Sequence, residues 1–231
     1  MKLSIVIPVY NEEHNIDNTL KEVIEHVNKK YIDYEIIIAD DGSTDRTRDV
    51  IKKYKNVVLT NKRINKGKGY SVKEGILMAK GDYILFTDAD LSTPIEEVDK
   101  FMEFIKKYDI VIGSRALKES KVNNILYKKI LGRIGNFFIS FLLVKGIKDT
   151  QCGFKLFRKV IAKEIFKRQT INRWGFDFEI IHIAQKKGFK IKEQPVRWIK
   201  SRESKVRLID YPKTLLELIK IKINDIKGAY R

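Results

Sequence analysis

Apolar runs that stop abruptly in acidic or polar residues constrain this chain most. Leu3–Val9 is almost unbroken apolar sequence and gives way to Tyr10-Asn11-Glu12. Ile36–Ala39 stops at Asp40-Asp41-Gly42-Ser43, and Tyr83–Phe86 leads into Asp88-Ala89-Asp90. Runs of this kind suit parallel strands covered on both faces. Between them lie apolar residues at helical spacing, such as Ile16, Leu20, Val23, Ile24 and Val27. The alternation predicts an α/β fold, a doubly wound and mostly parallel sheet with ligands beyond the carboxyl ends of its strands. Asn11, Asp41 and Asp88 all fall at such ends.

The remaining elements follow from the same patterns. Helices are expected over 13–29, 44–54, 69–80 and 94–107, with Ser43 or Thr44 capping the second. Strands are expected over 57–60 and 110–113. Beyond them, 121–144 reads as one long or broken helix, and 149–157 as a loop entering a strand. A helix over 175–187, a strand over 191–197 and an amphipathic helix over 212–226 complete the chain.

The 231 residues, 43% of them hydrophobic, suit one α/β domain. The net charge of +17 is lopsided. Residues 1–110 hold 18 Lys and Arg against 20 Asp and Glu, or −2; residues 111–231 hold 29 against 10, or +19. The basic half needs an anionic partner: a phosphorylated substrate, an anionic membrane surface or nucleic acid. Cys152 is the sole cysteine, so a disulfide within the chain is excluded and a reducing cytoplasm is expected. No signal peptide is expected either. Residues 134–144 form an uncharged stretch of eleven, where a membrane span needs about 20, so no transmembrane helix is expected.

Asp88 and Asp90 are the sharpest chemical signal. Two carboxylates just past a buried strand are hard oxygen ligands for Mg²⁺ or Mn²⁺ shared with substrate phosphates. A carboxylate such as Asp41, at the end of the second strand, is placed to hydrogen-bond a base or ribose. Tyr10 is suited to stacking near that base, and Asn11 and Glu12 to fixing the nucleotide or the loop. Asn65-Lys66-Gly67-Lys68-Gly69 opens a helix and makes a fair anion site. Gly113-Ser114-Arg115 brings a guanidinium to the same rim. A dinucleotide-dependent oxidoreductase is disfavoured because the strand-linked Gly-x-Gly-x-x-Gly is absent. A nucleic-acid-binding protein would have no use for Asp88 and Asp90, so no nucleic-acid partner is expected.

Taken together, the segments 8–12, 40–43, 65–69, 88–90 and 113–115 resemble family 2 glycosyltransferases, which have the GT-A fold. Within that family, Asp149-Thr150-Gln151-Cys152-Gly153-Phe154-Lys155-Leu156-Phe157 and Arg173-Trp174-Gly175-Phe176-Asp177-Phe178-Glu179 resemble the dolichyl-phosphate β-glucosyltransferases, as do Pro195–Trp198 and Ser204–Val206. Dolichol-phosphate mannose synthases come close behind, but these usually place Gln where Ser92 stands, which weakens the mannose reading and leaves the third metal ligand open.

The resemblance implies a division into a GT-A domain over 1–206 and a C-terminal amphipathic helix over 207–231. Within the domain, 1–115 would be the nucleotide-sugar half and 116–206 the acceptor half. Asp41 would bind base or ribose, with Pro8, Tyr10 and Glu12 shaping the pocket and Lys68 and Ala89 beside the nucleotide. Asp88 and Asp90 would hold the metal, and Arg115 and Arg133 phosphate oxygens. Arg202 and Lys205 would hold the lipid phosphate. The implied reaction is an inverting transfer of a hexose, from UDP-glucose or alternatively GDP-mannose, to polyprenyl (dolichyl) phosphate. A sugar-hydroxyl acceptor is the other alternative, and would need Asp149, Asp177 or Glu179 as general base. An apolar cluster at Phe137, Phe138 and 141–144, and a C-terminal face with Leu215, Leu218, Ile219 and Ile226 edged by lysines, suggest peripheral attachment to an anionic, cytoplasmic membrane face.

Overall fold

A computed structural model describes residues 2–60, 64–123, 143–199 and 210–231. Arg133, Arg202, Lys205 and the apolar positions 137–142 lie outside the described residues, as does most of the expected helix over 121–144.

Seven strands form one sheet in the order β3-β2-β1-β4-β7-β5-β8. They are β1 (Leu3–Val9), β2 (Tyr34–Asp40), β3 (Val57–Leu59), β4 (Tyr83–Thr87), β5 (Ile110–Ser114), β7 (Phe154–Arg158) and β8 (Ile191–Pro195). Every pairing is parallel except those of β7, which runs antiparallel between β4 and β5. Two short strands, β6 (Lys121–Asn123) and β9 (Arg197–Ile199), pair with each other. The doubly wound, mostly parallel sheet expected from the alternation is present.

Period-2 alternation sorts the strands onto two cores. Ile5, Ile7, Ile36, Ile38, Leu85, Val111 and Leu156 face α1 (Ile16–Lys30), α2 (Thr47–Ile51) and α4 (Glu97–Phe104). Val6, Ile37, Ile84, Phe86, Ile112 and Phe157 face α3 (Lys68–Met78), α5 (Lys159–Arg168), α6 (Phe176–Lys186) and α7 (Asp210–Ile226). Residues on both sides of position 115 therefore build one sheet.

Several local expectations are corrected. The second helix is only Thr47–Ile51, because Ser43 and Thr44 are occupied elsewhere: Ser43 Oγ bonds Asp40, and the Thr44 amide bonds Asn11. Residues 121–123 are strand rather than helix start. The run 191–197 breaks at Val196, whose carbonyl accepts the Lys121 amide while the chain leaves the main sheet to form β9. Helix α5 begins directly at the end of β7 with no intervening turn; Ala162, Ile165 and Phe166 supply its buried face. Leu218 belongs to the core with Ile221, so it is not on the outward face of α7. Among the described residues, no helix is long and apolar enough to cross a membrane.

Candidate active site

The topology gathers the site. Parallel strands β1, β2, β4 and β5 all end at the same edge, which brings residues 10–12, Asp41, 88–90 and Arg115 to one rim. Because β7 is antiparallel between β4 and β5, the segment 149–153 that enters it arrives at that rim as well. Gly153 receives the Asp88 amide on its carbonyl at 3.1 Å. A Cβ on Gly153 would lie 2.0 Å from Asp88 Oδ2, so only glycine lets the carboxylate lie there.

Asp88 and Asp90 follow β4 through a turn held by the Leu91 amide on the Asp88 carbonyl, with Leu91 at φ 43°. Asp90 accepts the Ser92 amide and hydroxyl, both at 2.9 Å. Burial and the neighbouring Asp88 charge push the Asp90 carboxyl above its ordinary range, although the Ser92 bonds and Lys68 oppose the rise. Asp88 Oδ1 is buried, accepts no well-directed hydrogen bond, and meets Lys68 Nζ at 2.7 Å. Burial disfavours the Lys68 charge, but Asp88, Asp177 and Asp90 outweigh it and raise the ammonium's pKa. The same ammonium lies 5.4 Å from the Trp174 ring centre and 5.5 Å from that of Phe86. Ala89 is buried, and its carbonyl accepts Thr19 Oγ1.

Asp177, in the first turn of α6, is buried and paired with Lys155 Nζ, which also donates to the Cys152 carbonyl at 2.6 Å. Burial raises the Asp177 carboxyl's pKa against the pull of Lys155 and Lys68. Sequence reasoning gives Lys155 no role of its own. Its signal was a lysine at an inward position of β7, between Phe154, Leu156 and Phe157. A charge there must be paired.

Arg115 forms a two-pronged pair with Asp149, Nε to Oδ2 at 2.7 Å and Nη2 to Oδ1 at 2.9 Å. The Glu193 carboxylate holds the Lys148 and Asp149 amides, both at 3.0 Å. Burial opposes ionisation of Asp149, yet Arg115 holds its carboxyl below the usual range. The guanidinium lies 5.8 Å from the Trp198 ring centre.

At the other end of the rim, Asp41 is buried and its two oxygens accept the Lys66 and Gly67 amides at 2.9 and 2.8 Å. It thereby shapes the loop that opens α3. Gly67, at φ 109°, packs against the Asn172 carbonyl, where a Cβ would stand 2.4 Å away. Tyr10 is exposed at the rim. Glu12 accepts Asn15 Nδ2, and its amide donates to Thr47 Oγ1. Pro8 is buried within β1, opposite Ala39 of β2. Glu179 is fully buried and accepts from the Thr170 amide and hydroxyl, the Ile171 amide and Tyr230 Oη. These four donors account for both its oxygens structurally.

The donor set fits a hard cation. Asp88 and Asp90 offer oxygens only, and no cluster of three His, Cys, Asp or Glu able to hold an ion by itself occurs among the described residues. Mg²⁺-type sites commonly use one or two carboxylates and complete their shell with substrate phosphates and water.

Known proteins resemble this chain in sequence and in fold. The chain is 38% identical to a dolichyl-phosphate beta-glucosyltransferase of Trichomonas vaginalis, over 99% of this chain and 75% of that protein. It is 34% identical to the Homo sapiens dolichyl-phosphate beta-glucosyltransferase, over 100% of this chain and 78% of the relative. The fold matches glucosyl-3-phosphoglycerate synthase of Mycobacterium tuberculosis, crystallised with Mn2+ and UDP-glucose, at TM-score 0.68 and 15% identity over 96% and 78% of the two chains. It also matches mannosyl-3-phosphoglycerate synthase of Rubrobacter xylanophilus at TM-score 0.71 and 14% identity, over 99% and 75%. These neighbours carry the GT-A arrangement that the motifs implied. Residues 4–166 match the Glycosyl transferase family 2 model, and the chain belongs to that family.

Proposed function

We propose that this enzyme moves glucose from UDP-glucose to a polyprenyl phosphate of the dolichyl type, inverting the α linkage of the donor to β. The names of the curated relatives support glucosyl transfer to dolichyl phosphate, and a fold neighbour crystallised with UDP-glucose is in keeping with that donor. The observation that carries the chemistry is the meeting of Asp88, Asp90 and the Arg115–Asp149 pair at one rim, the anionic end suited to a cation and the cationic end to phosphate.

In this reading Asp88 and Asp90 would hold Mg²⁺ or Mn²⁺, whose charge would be available to offset that of a diphosphate leaving group. Asp149 takes two of Arg115's five N–H groups and so fixes the guanidinium plane towards phosphate oxygens. Asp41 orders the Lys66–Gly67 loop, which sets the base of the nucleotide pocket beside Tyr10 and Glu12. The same division makes 1–115 the donor half and the later rim segments the acceptor half, with Arg133, Arg202 and Lys205 as cations for the acceptor.

The acceptor class follows from which carboxylates are engaged. A sugar hydroxyl needs a base, but Asp149 is tied to Arg115, Asp177 to Lys155, and Glu179 to four donors. A monoalkyl phosphate is substantially ionised at pH 7, since its second pKa lies near ~6, and requires positioning alone. This favours phosphate as the nucleophile and assigns Asp149 and Asp177 positioning roles.

The acceptor's lipid chain places the enzyme at a membrane. Leu215, Leu216, Ile219, Ile223 and Ile226 form an exposed face of α7, opposite the buried Leu218 and Ile221. Lys213, Lys220, Lys222 and Lys227 are exposed on the same helix. Such a helix lies in the interface of an anionic bilayer, here on the cytoplasmic face, with the +19 half turned to it.

The test is incubation with UDP-[¹⁴C]glucose, Mg²⁺ and polyprenyl phosphate. Mild-acid-labile label in the organic phase is expected. Label confined to oligosaccharide, or GDP-mannose serving in place of UDP-glucose, would overturn the assignment.

A further inference from the structure

Five charges crowd the floor of the rim. Asp88, Asp90 and Asp177 contribute three negative charges, and Lys68 and Lys155 two positive ones, so the cluster carries −1. Lys155 is wholly buried and bound to Asp177 and the Cys152 carbonyl, so it is built in. Lys68 differs. It reaches Asp88 from the N-terminal residue of α3, is partly exposed, and contacts Asp88 as an ion pair without a well-directed hydrogen bond. Its other neighbours are the faces of Trp174 and Phe86, which attract a cation without binding it in one direction.

We propose that Lys68 is a resident counter-ion that excludes the divalent cation from Asp88 until a nucleoside diphosphate draws the ammonium away. Metal and nucleotide then bind together, and the metal alone binds poorly. This rests on the reading of Asp88 and Asp90 as the metal-holding pair.

The reasoning is one of charge and space. An ammonium 2.7 Å from Asp88 Oδ1 is in direct contact with an oxygen that a Mg²⁺-type cation would approach to about 2.0–2.1 Å, so the two like charges compete for the same place beside it. With Lys68 present a divalent ion meets a cluster of −1; with Lys68 gone from it, −2. A diphosphate supplies the ammonium with phosphate oxygens as replacement partners, and the opening of α3 already places Lys68 at a helix N-terminus beside the Asp41-held loop. The exchange prevents an idle metal from sitting at the site and couples its affinity reciprocally to the nucleotide's.

The experiment measures Mn²⁺ binding by electron paramagnetic resonance of the free ion, with and without UDP, on the full chain. UDP is expected to tighten Mn²⁺ binding to the wild type at least tenfold. Lys68→Gln is expected to bind Mn²⁺ alone at least tenfold more tightly than the wild type, with a much smaller response to UDP. Lys68→Arg, which keeps the charge, should behave like the wild type, and Asp88→Asn should lose binding in every background. Equal Mn²⁺ affinity of wild type and Lys68→Gln without nucleotide, with Asp88→Asn still abolishing binding, would overturn the counter-ion role and leave the metal site standing. No Mn²⁺ binding by either protein even with UDP would overturn the metal site and the exchange with it.

Discussion

Asp149 grips Arg115 three times: it takes Nε, Nη2 and the backbone amide of that residue at 2.7, 2.9 and 2.9 Å. Asp149 is buried while Arg115 is a third exposed. Asp149→Asn should therefore cost about 2–3 kcal/mol, less than the ~3–5 kcal/mol of a fully buried pair because water screens the Arg115 end. The folded-state carboxyl is held below its ordinary value, so its contribution is full above the unfolded pKa and fades as pH falls through the folded one. The stability gap between wild type and Asp149→Asn should be constant from neutrality to mild acid and shrink below pH roughly 3.9. Denaturant titrations across pH check this; a gap that widens in acid would contradict it.

Gly153→Ala places a methyl carbon 2.0 Å from Asp88 Oδ2. The carboxylate must swing out of place while the β4–β7 ladder keeps its pairing. Turnover should fall by about 10²-fold, the loss that an ångström-scale misplacement brings. Circular dichroism should remain native; normal turnover would show that Asp88 is not needed in its present position.

Glu179→Gln separates structure from catalysis. Its carboxylate holds the 170–171 turn against Tyr230 near the chain's end. The amide presents a donor to groups that also donate, so stability should drop by about 1–3 kcal/mol. Folded protein should keep its kcat. A roughly 10²–10⁴-fold loss in kcat at unchanged melting temperature would instead mark a general base.

Vesicle flotation tests the outward face of α7. Ile219→Glu with Ile223→Glu should abolish flotation with anionic liposomes and leave melting unchanged, since both residues are exposed. Leu218→Ala, on the inward face, should cost about 2–4 kcal/mol and spare flotation of folded protein. Wild-type protein remaining in the soluble fraction would remove the membrane reading.

Much of the rim built by residues 1–115 was readable in advance. The ends of β1, β2, β4 and β5 were visible as apolar runs stopping in Asn11, Asp41, Asp88 and Arg115, and parallel strands can only place such ends together. The segments after residue 115 were harder. The run 191–197 reads as one strand because nothing in its composition shows that Arg197 pairs with Lys121 and starts a separate strand instead of continuing along β5. Helix α5 escaped notice because no cap or turn residue separates it from β7.

The roles of individual carboxylates were hidden for a related reason. Asp149, Asp177 and Glu179 look alike in sequence, each an acid in a motif-rich segment. One binds Arg115, one Lys155, and one a turn, through contacts between residues 8 to 51 positions apart.

The order of apolar and acidic residues along the chain determined the sheet, its covered faces and the rim to which the acids come, since strand and helix periodicities are local properties. The antiparallel insertion of β7 was decided only in three dimensions. That insertion carries 149–153 to the rim, seats Asp88 on Gly153, and pairs Asp149 with Arg115, because which strand fills the space between β4 and β5 depends on packing among segments far apart in the chain.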